Sequence, residues 1–291
     1  MPAAAASSLL CPVCRSRLGF SDTAGRSLLC PGGHSFDAAK QGYFNFLVGK
    51  GTVFEADTAD MVAARFEFLS AGHYRPLADA VADLAAAALG GAGAQRPGTV
   101  LDAGTGTGHY LRALLDRMSL DRTPVEAIGL DISKFALRRA ARLNPDAINV
   151  VTDVWQPLPV ADDAVDVVTV VFAPRNAAEF ARVLRPGGRL VVVTPWPGHL
   201  GEVAGRAGLL GIDPAKDERL AASLEGHFAA LSADQLDIPL LLSPDDVARL
   251  ALMGPAGHHL DRGALASRTA GLPPLTNVSA RFRISVFEPR R

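Results

Sequence analysis

The chain has 291 residues, 48% of them hydrophobic, and a formal net charge of -1. This length is enough for one large domain or two moderate ones with a substantial hydrophobic core, and the near-neutral charge excludes a global positive field that would attract nucleic acid. No stretch approaches the roughly 18 apolar residues of a membrane-spanning helix, because the strongest candidate, residues 165–173, contains Asp166 and is followed by Pro174. The amino terminus lacks the basic segment and apolar core of a secretory signal, so we expect a globular protein of the cytoplasm.

All three cysteines fall in the first 30 residues, in an arrangement typical of a zinc site. Cys11 and Cys14 form a C-x2-C pair, and after fifteen intervening residues Cys30 and His34 form a C-x3-H pair. Thiolates and an imidazole in two close pairs match the tetrahedral geometry that zinc prefers, and four protein ligands leave no open position. The pattern therefore predicts a structural zinc ion. The alternatives are a disulfide with one spare thiol, or a redox-active C-x-x-C pair.

The segment around this zinc pattern differs from the rest of the chain in charge. Residues 1–50 hold five arginines and lysines against two aspartates, whereas the whole chain is close to neutral. Downstream of the zinc ligands, Phe36 to Phe46 interleaves aromatic with polar side chains. Such a composition suits either packing beneath the zinc site or contact with RNA bases, and we favour packing.

Two helices are predicted next. A helical spacing of apolar residues begins at Asp57 or Thr58 and stops near Gly72. A second helix covers residues 76–89, and a run of glycines follows it. We therefore predict a helical connector over residues 51–98.

From residue 99 onward, short apolar strands alternate with helices. The predicted strands lie near residues 99–103, 126–131, 147–151, 165–171 and 189–194. Helical segments between them include Lys134 to Leu143 and Ala177 to Leu184, and Arg185-Pro186-Gly187-Gly188 is predicted to be the turn before the last strand. This alternation indicates an α/β fold, with a parallel sheet that is covered on both faces.

The carboxyl-terminal part of the chain is less uniform. Residues 195–235 show a helical periodicity of leucine and alanine, compatible with a lid or an insertion. Ser243, followed by Pro244, predicts a capped helix that ends at Met253. Residues Val278 to Val286 alternate apolar and polar side chains, which predicts a half-exposed antiparallel strand at or near the edge of the sheet.

A glycine loop follows the first of the predicted strands and precedes a helix, where an α/β sheet presents its carboxyl ends to a ligand. Its sequence, Gly104-Thr105-Gly106-Thr107-Gly108, has the spacing G-x-G-x-G rather than the dinucleotide spacing G-x-G-x-x-G. Asp102 lies two residues before the first glycine, where it would repel a phosphate and attract an ammonium. The loop therefore predicts a nucleoside cofactor with an ammonium group, and S-adenosylmethionine (SAM) has one together with a sulfonium.

Two further acids lie at corresponding strand ends. Asp131 closes the second strand, 25 residues after Gly106, where a carboxylate can accept both hydroxyls of a ribose. Asp153 follows the third strand and could accept the amino group of an adenine. Single acids of this kind commonly cap helices, but three of them in this order favour a SAM site.

These features together resemble the RlmA family, SAM-dependent methyltransferases that act on guanine N1 of 23S rRNA. The resemblance rests on the zinc module, on the segment Phe68-Leu69-Ser70-Ala71-Gly72-His73-Tyr74-Arg75-Pro76-Leu77, on the glycine loop and on Phe172-Ala173-Pro174. It implies a class I SAM-dependent methyltransferase fold, α/β and Rossmann-like, with a mostly parallel seven-stranded sheet and a small N-terminal zinc-binding domain. The methyltransferase domain would cover residues 99–291, residues 51–98 would contribute to the cofactor site, and residues 1–50 would help to grip an RNA hairpin.

The resemblance also implies site residues and a biological role. Cys11, Cys14, Cys30 and His34 would bind zinc, and Tyr74, Gly106, Thr107 and His199 match positions that contact SAM in the family. Taken alone, Tyr74 and His199 would pass for ordinary loop or core residues. The family further implies a homodimer, and one branch, typical of GC-rich actinomycete-like genomes, contributes to macrolide resistance of the tylosin type. The glycine-rich and proline-rich composition favours that branch.

The expected chemistry needs a proton acceptor, because guanine N1 is protonated at neutral pH and must lose its proton before or during attack. Asp37, Asp153 and His199 are candidates only by residue type, so the sequence names no catalytic residue. A loop guanine could be splayed out of its RNA and stacked on an aromatic side chain. The aromatic candidates are Phe36, Tyr43, Phe44 and Trp155.

Two other functions stay open at this point. The fold could methylate a small molecule such as a quinone, with a purely structural zinc module. The chain could also be a zinc-dependent RNA-binding protein with an inactive cofactor site. The intact glycine loop argues against the second alternative, and the basic zinc module argues against the first.

Overall fold

The computed structural model describes residues 3–48, 52–90, 96–209 and 222–290. The described residues form a large sheet of eight strands and a small antiparallel sheet of three strands near the amino terminus. Within these residues, no helix is long and apolar enough to span a membrane.

The small sheet is built from very short strands. They are β1 (Gly19–Phe20), β2 (Ser27–Leu29) and β3 (Ser35–Asp37). Helix α1 (Ala3–Ser8) precedes them. Strands of two or three residues bury little apolar surface, so this unit has only a small hydrophobic core of its own. β4 (Tyr43–Asn45) then leaves the small sheet and pairs in parallel with a strand of the large sheet.

The large sheet takes its other seven strands from residues 98–289. In chain order they are β5 (Gly98–Ala103), β6 (Val125–Asp131), β7 (Ile148–Val151), β8 (Val165–Val171), β9 (Leu184–Pro195), β10 (Phe228–Leu242) and β11 (Thr276–Pro289). Their order across the sheet is β10-β11-β9-β8-β5-β6-β7-β4, and only the pairings on either side of β11 are antiparallel. β5 to β11 are the seven strands that the resemblance predicts, and β4 extends the sheet to eight.

Helices cover both faces of this sheet. The described helices include α2 (Ala59–Ser70), α3 (Arg75–Gly90), α4 (His109–Leu120), α5 (Lys134–Leu143), α6 (Ala177–Val183), α7 (Gly201–Ala207), α8 (Pro244–Met253) and α9 (Arg262–Thr269). Successive strand residues point to opposite faces: Val100 packs in the core with α3 and α4, and Leu101 packs in the core that includes α1 and α6. Burial on both faces explains the almost uninterrupted apolar runs of the parallel strands.

Most of the predicted elements are confirmed. The helices predicted near residues 58–72, 76–89, 134–143 and 244–253 are α2, α3, α5 and α8. Thr58 caps α2 through Met61 N, and Ser243 forms a capping box with Asp246 at the start of α8. The antiparallel strand predicted near the sheet edge is β11, which lies second from the edge.

Two predictions were wrong. The leucine and alanine periodicity assigned up to residue 235 gives way to β10 from Phe228, an edge strand that holds Pro239; proline is tolerated there because an edge strand need not donate every amide. The predicted turn at residues 185–188 lies inside β9 as an irregularity, since Leu184 pairs with Val165 and Arg189 already pairs with Val167. Residues 210–221 of the expected lid or insertion lie outside the described residues.

The aromatic segment of the zinc-binding unit is mainly a packing element, as we favoured. Tyr43 and Phe44 are buried, which excludes them as free stacking surfaces for a base. The rings of Phe36 and Phe46 lie 4.9 Å apart, and Phe46 is also buried. The domain boundaries at residues 50 and 98 stay predictions.

Candidate active site and zinc centre

The four predicted zinc ligands converge on one point. Their ligand atoms all lie within 4.8 Å of one another, with 3.6 Å between the Sγ atoms of Cys14 and Cys30 and 3.4 Å between Cys30 Sγ and His34 Nδ1. Zinc-sulfur bonds of about 2.3 Å place two tetrahedral thiolates about 3.8 Å apart, close to the observed Sγ–Sγ distance. A disulfide would need about 2.05 Å. The donor set and its spacing therefore fit a tetrahedral zinc ion, with Cys11 as the fourth ligand.

The first ligand pair sits on a tight turn that prepares its sulfurs for a metal. Arg15 N donates to Cys11 O at 2.9 Å and closes the turn, while Val13 N donates to Cys11 Sγ at 3.4 Å. Hydrogen bonds from Ser16 lower the pKa of the exposed Cys14 thiol to about 6. Such contacts favour the thiolate, which is the form that binds metal.

The zinc-binding unit is tied to the large sheet at three places. Leu9 forms an antiparallel bridge with Val160, and the Arg15 guanidinium donates to Leu158 O at 2.9 Å. β4 supplies the third tie through its pairing with β7. Through β4, the zinc-binding unit is therefore in direct contact with β7, and Asp153 lies just beyond the end of that strand.

The glycine loop joins β5 to α4 at the carboxyl end of the sheet. Gly104, Gly106 and Gly108 have φ angles of 81°, 55° and 84°, in a region that side chains other than glycine rarely adopt. A Cβ atom on Gly104 would lie 2.2 Å from the Cβ of Ala173, and one on Gly108 would lie 2.5 Å from Asn144 Nδ2. The loop thus needs glycine for its backbone angles and, at two positions, for lack of space.

Asp102 is buried at the end of β5, with 2% of its surface exposed. Thr169 Oγ1 donates to Asp102 Oδ1 at 2.7 Å, whereas Oδ2 has no hydrogen bond of good geometry in the described part of the chain. Burial raises the pKa of Asp102, and the hydroxyls of Thr105 and Thr169 oppose that rise. A buried carboxylate oxygen with a free lone pair is costly until a donor or cation completes it. The position suits an ammonium group.

Asp131 holds the glycine loop against β6. Its Oδ2 accepts from Gly106 N at 2.8 Å, and its Oδ1 accepts from Ser133 N at 2.8 Å. Burial raises the pKa of Asp131 to about 6, against the lowering effect of these two hydrogen bonds. Each oxygen keeps a further lone pair, so the carboxylate can also accept a pair of ligand hydroxyls.

Asp153 is buried just beyond β7, but its carboxylate is already engaged. Its Oδ1 accepts from Trp155 N at 3.0 Å, and its Oδ2 accepts from Thr52 Oγ1 at 2.8 Å. An adenine amino group would therefore share Oδ2 with Thr52 or displace it. The ring of Trp155 is half exposed and lies 6.2 Å from that of Phe54.

A cavity of about 580 Å³ opens next to Asp131. Ile132 and Ser133, the two residues that follow Asp131, line one side, and Thr52 and Asp57 line another. Ser133 Oγ donates to the Asp57 carbonyl at 3.0 Å, which joins two of these lining residues directly. Its volume is in the range of cofactor pockets in other proteins.

Tyr74 and His199 come from distant parts of the chain and meet at Phe282 on β11. The centroid of the Phe282 ring lies 5.0 Å from that of Tyr74 and 4.8 Å from that of His199. Burial raises the pKa of Tyr74 well above its usual value and lowers the pKa of His199 to about 4. His199 Nδ1 accepts from Arg281 N at 3.0 Å, so the neutral imidazole carries its proton on Nε2.

Thr107 completes the glycine loop at the start of α4. Its side chain is buried, and Oγ1 lies 2.9 Å from Nδ1 of His109. Burial lowers the pKa of His109 to about 4, so this ring is neutral at pH 7.

Arg65 on α2 is a residue near the loop that the sequence analysis missed. Its Nη1 lies 3.8 Å from the place where a Cβ on Gly106 would be, and its guanidinium is paired with Asp57. A second nitrogen donates to Met253 O at 2.6 Å. Helical periodicity marks Arg65 only as one residue of an amphipathic helix, so no local signal could have found it.

Comparison with known proteins agrees with this geometry. A model of the RlmA N-terminal zinc ribbon matches residues 9–48, and a methyltransferase-domain model matches residues 100–188. The chain is 46% identical over 291 residues to a Micromonospora griseorubida protein assigned as a 23S rRNA (guanine-N(1)-)-methyltransferase, covering 97% of each chain. It is 44% identical to the 23S rRNA (guanine(748)-N(1))-methyltransferase of Streptomyces fradiae, covering 97% of this chain and 96% of the relative. The chain belongs to the RlmA family.

RlmA-family membership makes the chain a SAM-dependent methyltransferase with an N-terminal zinc ribbon. The class I fold is shared with a chain in the complex between the Haloferax volcanii Trm112 methyltransferase activator and a methyltransferase. That chain is 21% identical and superposes with a TM-score of 0.50 over 82% of the RlmA-family chain and the whole of its own length. The residues fit both groups that the family uses, since the Cys3His cluster suits zinc and the free oxygen of Asp102 suits the ammonium of SAM.

We expect this RlmA-family chain to bind SAM more weakly as the pH falls through about 6. A ribose needs Asp131 in its ionised form, and burial raises the pKa of this carboxyl to about 6. Below that pH, protonation turns one of the two acceptor oxygens of Asp131 into a donor, so the carboxyl can no longer accept both ribose hydroxyls. The affinity should fall about tenfold between about pH 7 and pH 5, which calorimetric titration with SAM at several pH values would measure.

An Asp131→Asn variant should bind SAM weakly at every pH and lose this dependence. Asp116→Asn, which removes an exposed carboxylate paired with Arg112 on α4, is the matched control and should behave as the unmodified protein. If Asp131→Asn kept the full pH dependence, the titrating group would be Asp102, whose pKa is also raised by burial. An affinity that stays level across the range would contradict the expectation.

Proposed function

We propose that the protein transfers a methyl group from SAM to N1 of a guanine in a hairpin loop of 23S rRNA. The observation that carries the proposal is the end-to-end similarity to two relatives named for this reaction, at 46% and 44% identity over 97% of the chain. The similarity spans both the zinc-binding unit and the glycine loop. A small-molecule methyltransferase would have no evident use for the first, and a pure RNA-binding protein would have none for the second.

The cofactor site would use the three acids for three different groups. Asp102 would accept the ammonium of SAM through its free Oδ2, and Asp131 would accept the ribose hydroxyls. Asp153 would accept the adenine amino group in exchange for its bond to Thr52. SAM supplies the electrophilic methyl group, and the protein contributes mainly the alignment of that methyl with its acceptor.

The loop and the aromatic cluster would hold the rest of the cofactor. Gly104, Gly106 and Thr107 would bring the backbone close to it, because Gly104 lets the loop pack tightly against Ala173 and a Cβ on Gly106 would meet Arg65 only at 3.8 Å. Tyr74 and His199 would form a wall through their contacts with Phe282.

We assign no residue as the proton acceptor for guanine N1. Existing hydrogen bonds argue against two of the three candidates, His199 and Asp153. The only acceptor nitrogen of His199, Nδ1, accepts a hydrogen bond from Arg281 N. Nε2 already carries the proton of the neutral ring, so it cannot take another. Both oxygens of Asp153 are engaged by Trp155 N and Thr52. Asp37 is exposed on β3 in the zinc-binding unit. We therefore propose solvent water as the proton acceptor, because it requires no protein side chain to be released from an existing hydrogen bond.

The remaining parts of the proposal concern the setting of the reaction. We propose a cytoplasmic enzyme, because its substrate is ribosomal RNA, and a homodimer whose zinc-binding units help to grip the hairpin. Light scattering on the purified protein would give the oligomeric state. We further propose a contribution to macrolide resistance of the tylosin type, which growth of a sensitive host that expresses the chain, at inhibitory tylosin, would test.

The purified protein should methylate a transcript of a 23S rRNA hairpin and create a stop for reverse transcriptase. Methylation at N1 blocks the Watson-Crick edge, so primer extension should stop at one loop guanine when labelled SAM is present. Gly106→Arg should abolish label and stop together, because its side chain would fill the space above the loop near Arg65. The position of the stop would show whether the target corresponds to the guanine 748 for which the Streptomyces fradiae relative is named.

Other outcomes of this experiment point to other functions. Label in the RNA without a stop would move the target to a different atom of a base or ribose. Binding of SAM without any label in RNA would favour a small-molecule acceptor. Binding of the hairpin without binding of SAM would favour an RNA-binding protein with an inactive site.

A further inference from the structure

Phe172 has a strained backbone at the end of β8. In the described chain, five residues other than glycine have a positive φ angle, and they are Arg15, Arg122, Asp163, Phe172 and Leu200. Phe172 is the aromatic member of this set, with φ of 56°. A bulky side chain in this region is unfavourable, and such strain persists where function or the surrounding structure demands it.

Phe172 is also exposed where burial would be expected. It is 44% exposed, although it immediately follows a strand whose residues are all buried. One side of the ring packs on Phe282 at 5.5 Å, and its neighbour Tyr110 lies edge-on at 6.4 Å. With 44% of the residue exposed, Phe172 forms an aromatic platform that is packed against these rings and partly open to solvent.

This platform lies beside the glycine loop. The next residue, Ala173, is the one whose Cβ would be 2.2 Å from a Cβ on Gly104. Phe282, on which the Phe172 ring rests, is also the residue that joins Tyr74 and His199. The backbone is fixed in turn, since Phe172 N donates to Val193 O at 3.2 Å. The ring therefore lies between Tyr110, near the start of α4, and Phe282 of the aromatic cluster, one residue before the Ala173 that packs against Gly104.

We propose that Phe172 is the stacking platform for the target guanine and holds its N1 beside the cofactor loop. This inference rests on the proposed function. A base that is turned out of an RNA loop loses its stacking neighbours, and a preformed aromatic ring replaces them. The strain has an explanation in this role, because strained backbone persists where function requires a residue in one particular position.

The packing of the molecule alone does not require an aromatic side chain here. A ring that served only to fill the core would be buried like Phe282, which has no exposed surface. The four aromatic residues considered from the sequence as RNA contacts did not include Phe172. Of those four, Tyr43 and Phe44 are buried in the structure.

The test compares Phe172→Leu with Phe172→Tyr in steady-state methylation of the hairpin. Leucine keeps apolar volume on Phe282 but offers no ring, so kcat/KM for RNA should fall about 10- to 100-fold. Tyrosine keeps the ring and should restore kcat/KM to within about threefold of the unmodified protein. SAM affinity by calorimetry should change less than about twofold in both variants, because the ring acts on the base. Leu241→Ala, which shortens a half-exposed side chain on β10, is the control.

A second measurement needs no turnover and separates this inference from the proposed function. Hairpins with 6-thioguanosine at single loop positions should crosslink under long-wavelength light to the peptide that contains Phe172. Crosslinks only to other peptides would overturn the inference, as would an unchanged kcat/KM in Phe172→Leu or a joint loss of SAM binding and folding in that variant. Absence of RNA methylation by the unmodified protein would instead count against the proposed function.

Discussion

Cys14→Ser should release zinc and unfold the zinc-binding unit while leaving the centre of the large sheet folded. Cys14 is exposed, so serine removes a metal ligand without opening a cavity. The strands β1 to β3 have only two or three residues each, which leaves the metal as the main source of local stability. Structural zinc supplies about 10–16 kcal/mol of apparent binding free energy to small domains. The free energy lost with one of the four ligands should therefore be larger than the remaining stability of this unit.

Zinc content by mass spectrometry and hydrogen exchange of the peptides would measure this outcome. Exchange should increase throughout residues 9–48, which include β4, and also in β7 at residues 148–151, which pairs with β4, whereas β5 and β8 should stay protected. Val13→Ala is the matched control, because Val13 lies between the same two ligands with an exposed side chain and keeps the amide that bonds to Cys11. A variant at Cys14 that retains one equivalent of zinc and normal exchange would argue against a four-ligand structural site.

Loss of the zinc-binding unit should also weaken the cofactor site. β4 pairs with β7. Thr52, seven residues after the end of β4, donates to Asp153, which lies just beyond the end of β7. We therefore expect SAM affinity to fall together with zinc content in Cys14→Ser.

Gly104→Ala should destabilise the fold and abolish SAM binding. The residue has φ of 81°, and the new methyl group would lie 2.2 Å from the Cβ of Ala173. Left-handed strain and overpacking together should cost about 2–5 kcal/mol. The loop or β8 has to move to relieve this clash, so Asp102 and Gly106 would leave the positions on which the cofactor site depends.

Urea denaturation and calorimetric titration with SAM would give both quantities. Gly205→Ala is a control with the opposite expected sign, because Gly205 lies in α7 with ordinary helical angles and nothing within 4 Å of an added Cβ. Alanine there should stabilise the protein by up to about 1 kcal/mol. Equal effects of the two substitutions, or normal SAM affinity in Gly104→Ala, would remove the physical basis that we assign to the glycine loop.

The sequence was sufficient wherever the signal is local. Cys11, Cys14, Cys30 and His34 are recognisable because zinc geometry fixes the spacing within each close pair. The glycine loop is recognisable because left-handed backbone angles exclude other residues. The strands from β5 to β8 were found near their true limits, because burial on both faces leaves an apolar run that few other elements show.

The sequence failed where an element is defined by its partners. β10 is an edge strand whose amino-terminal half is mostly exposed. Its sequence therefore lacks both the apolar run of a central strand and a strict alternation of apolar and polar residues. β4 has three residues and could not be separated from the aromatic segment around it until its pairing with β7 was seen.

The sequence by itself determined the zinc ligands, the glycine loop with Asp102 and Asp131, and the α/β class, because each depends on bond geometry or periodicity among near neighbours. Only the tertiary structure decided that Tyr74 and His199 meet at Phe282, that Arg65 reaches the loop, and that Phe172 presents a strained, half-exposed ring beside Gly104. Those relations join residues more than 30 positions apart. They arise from the packing of strands and helices, which no single segment of the chain encodes.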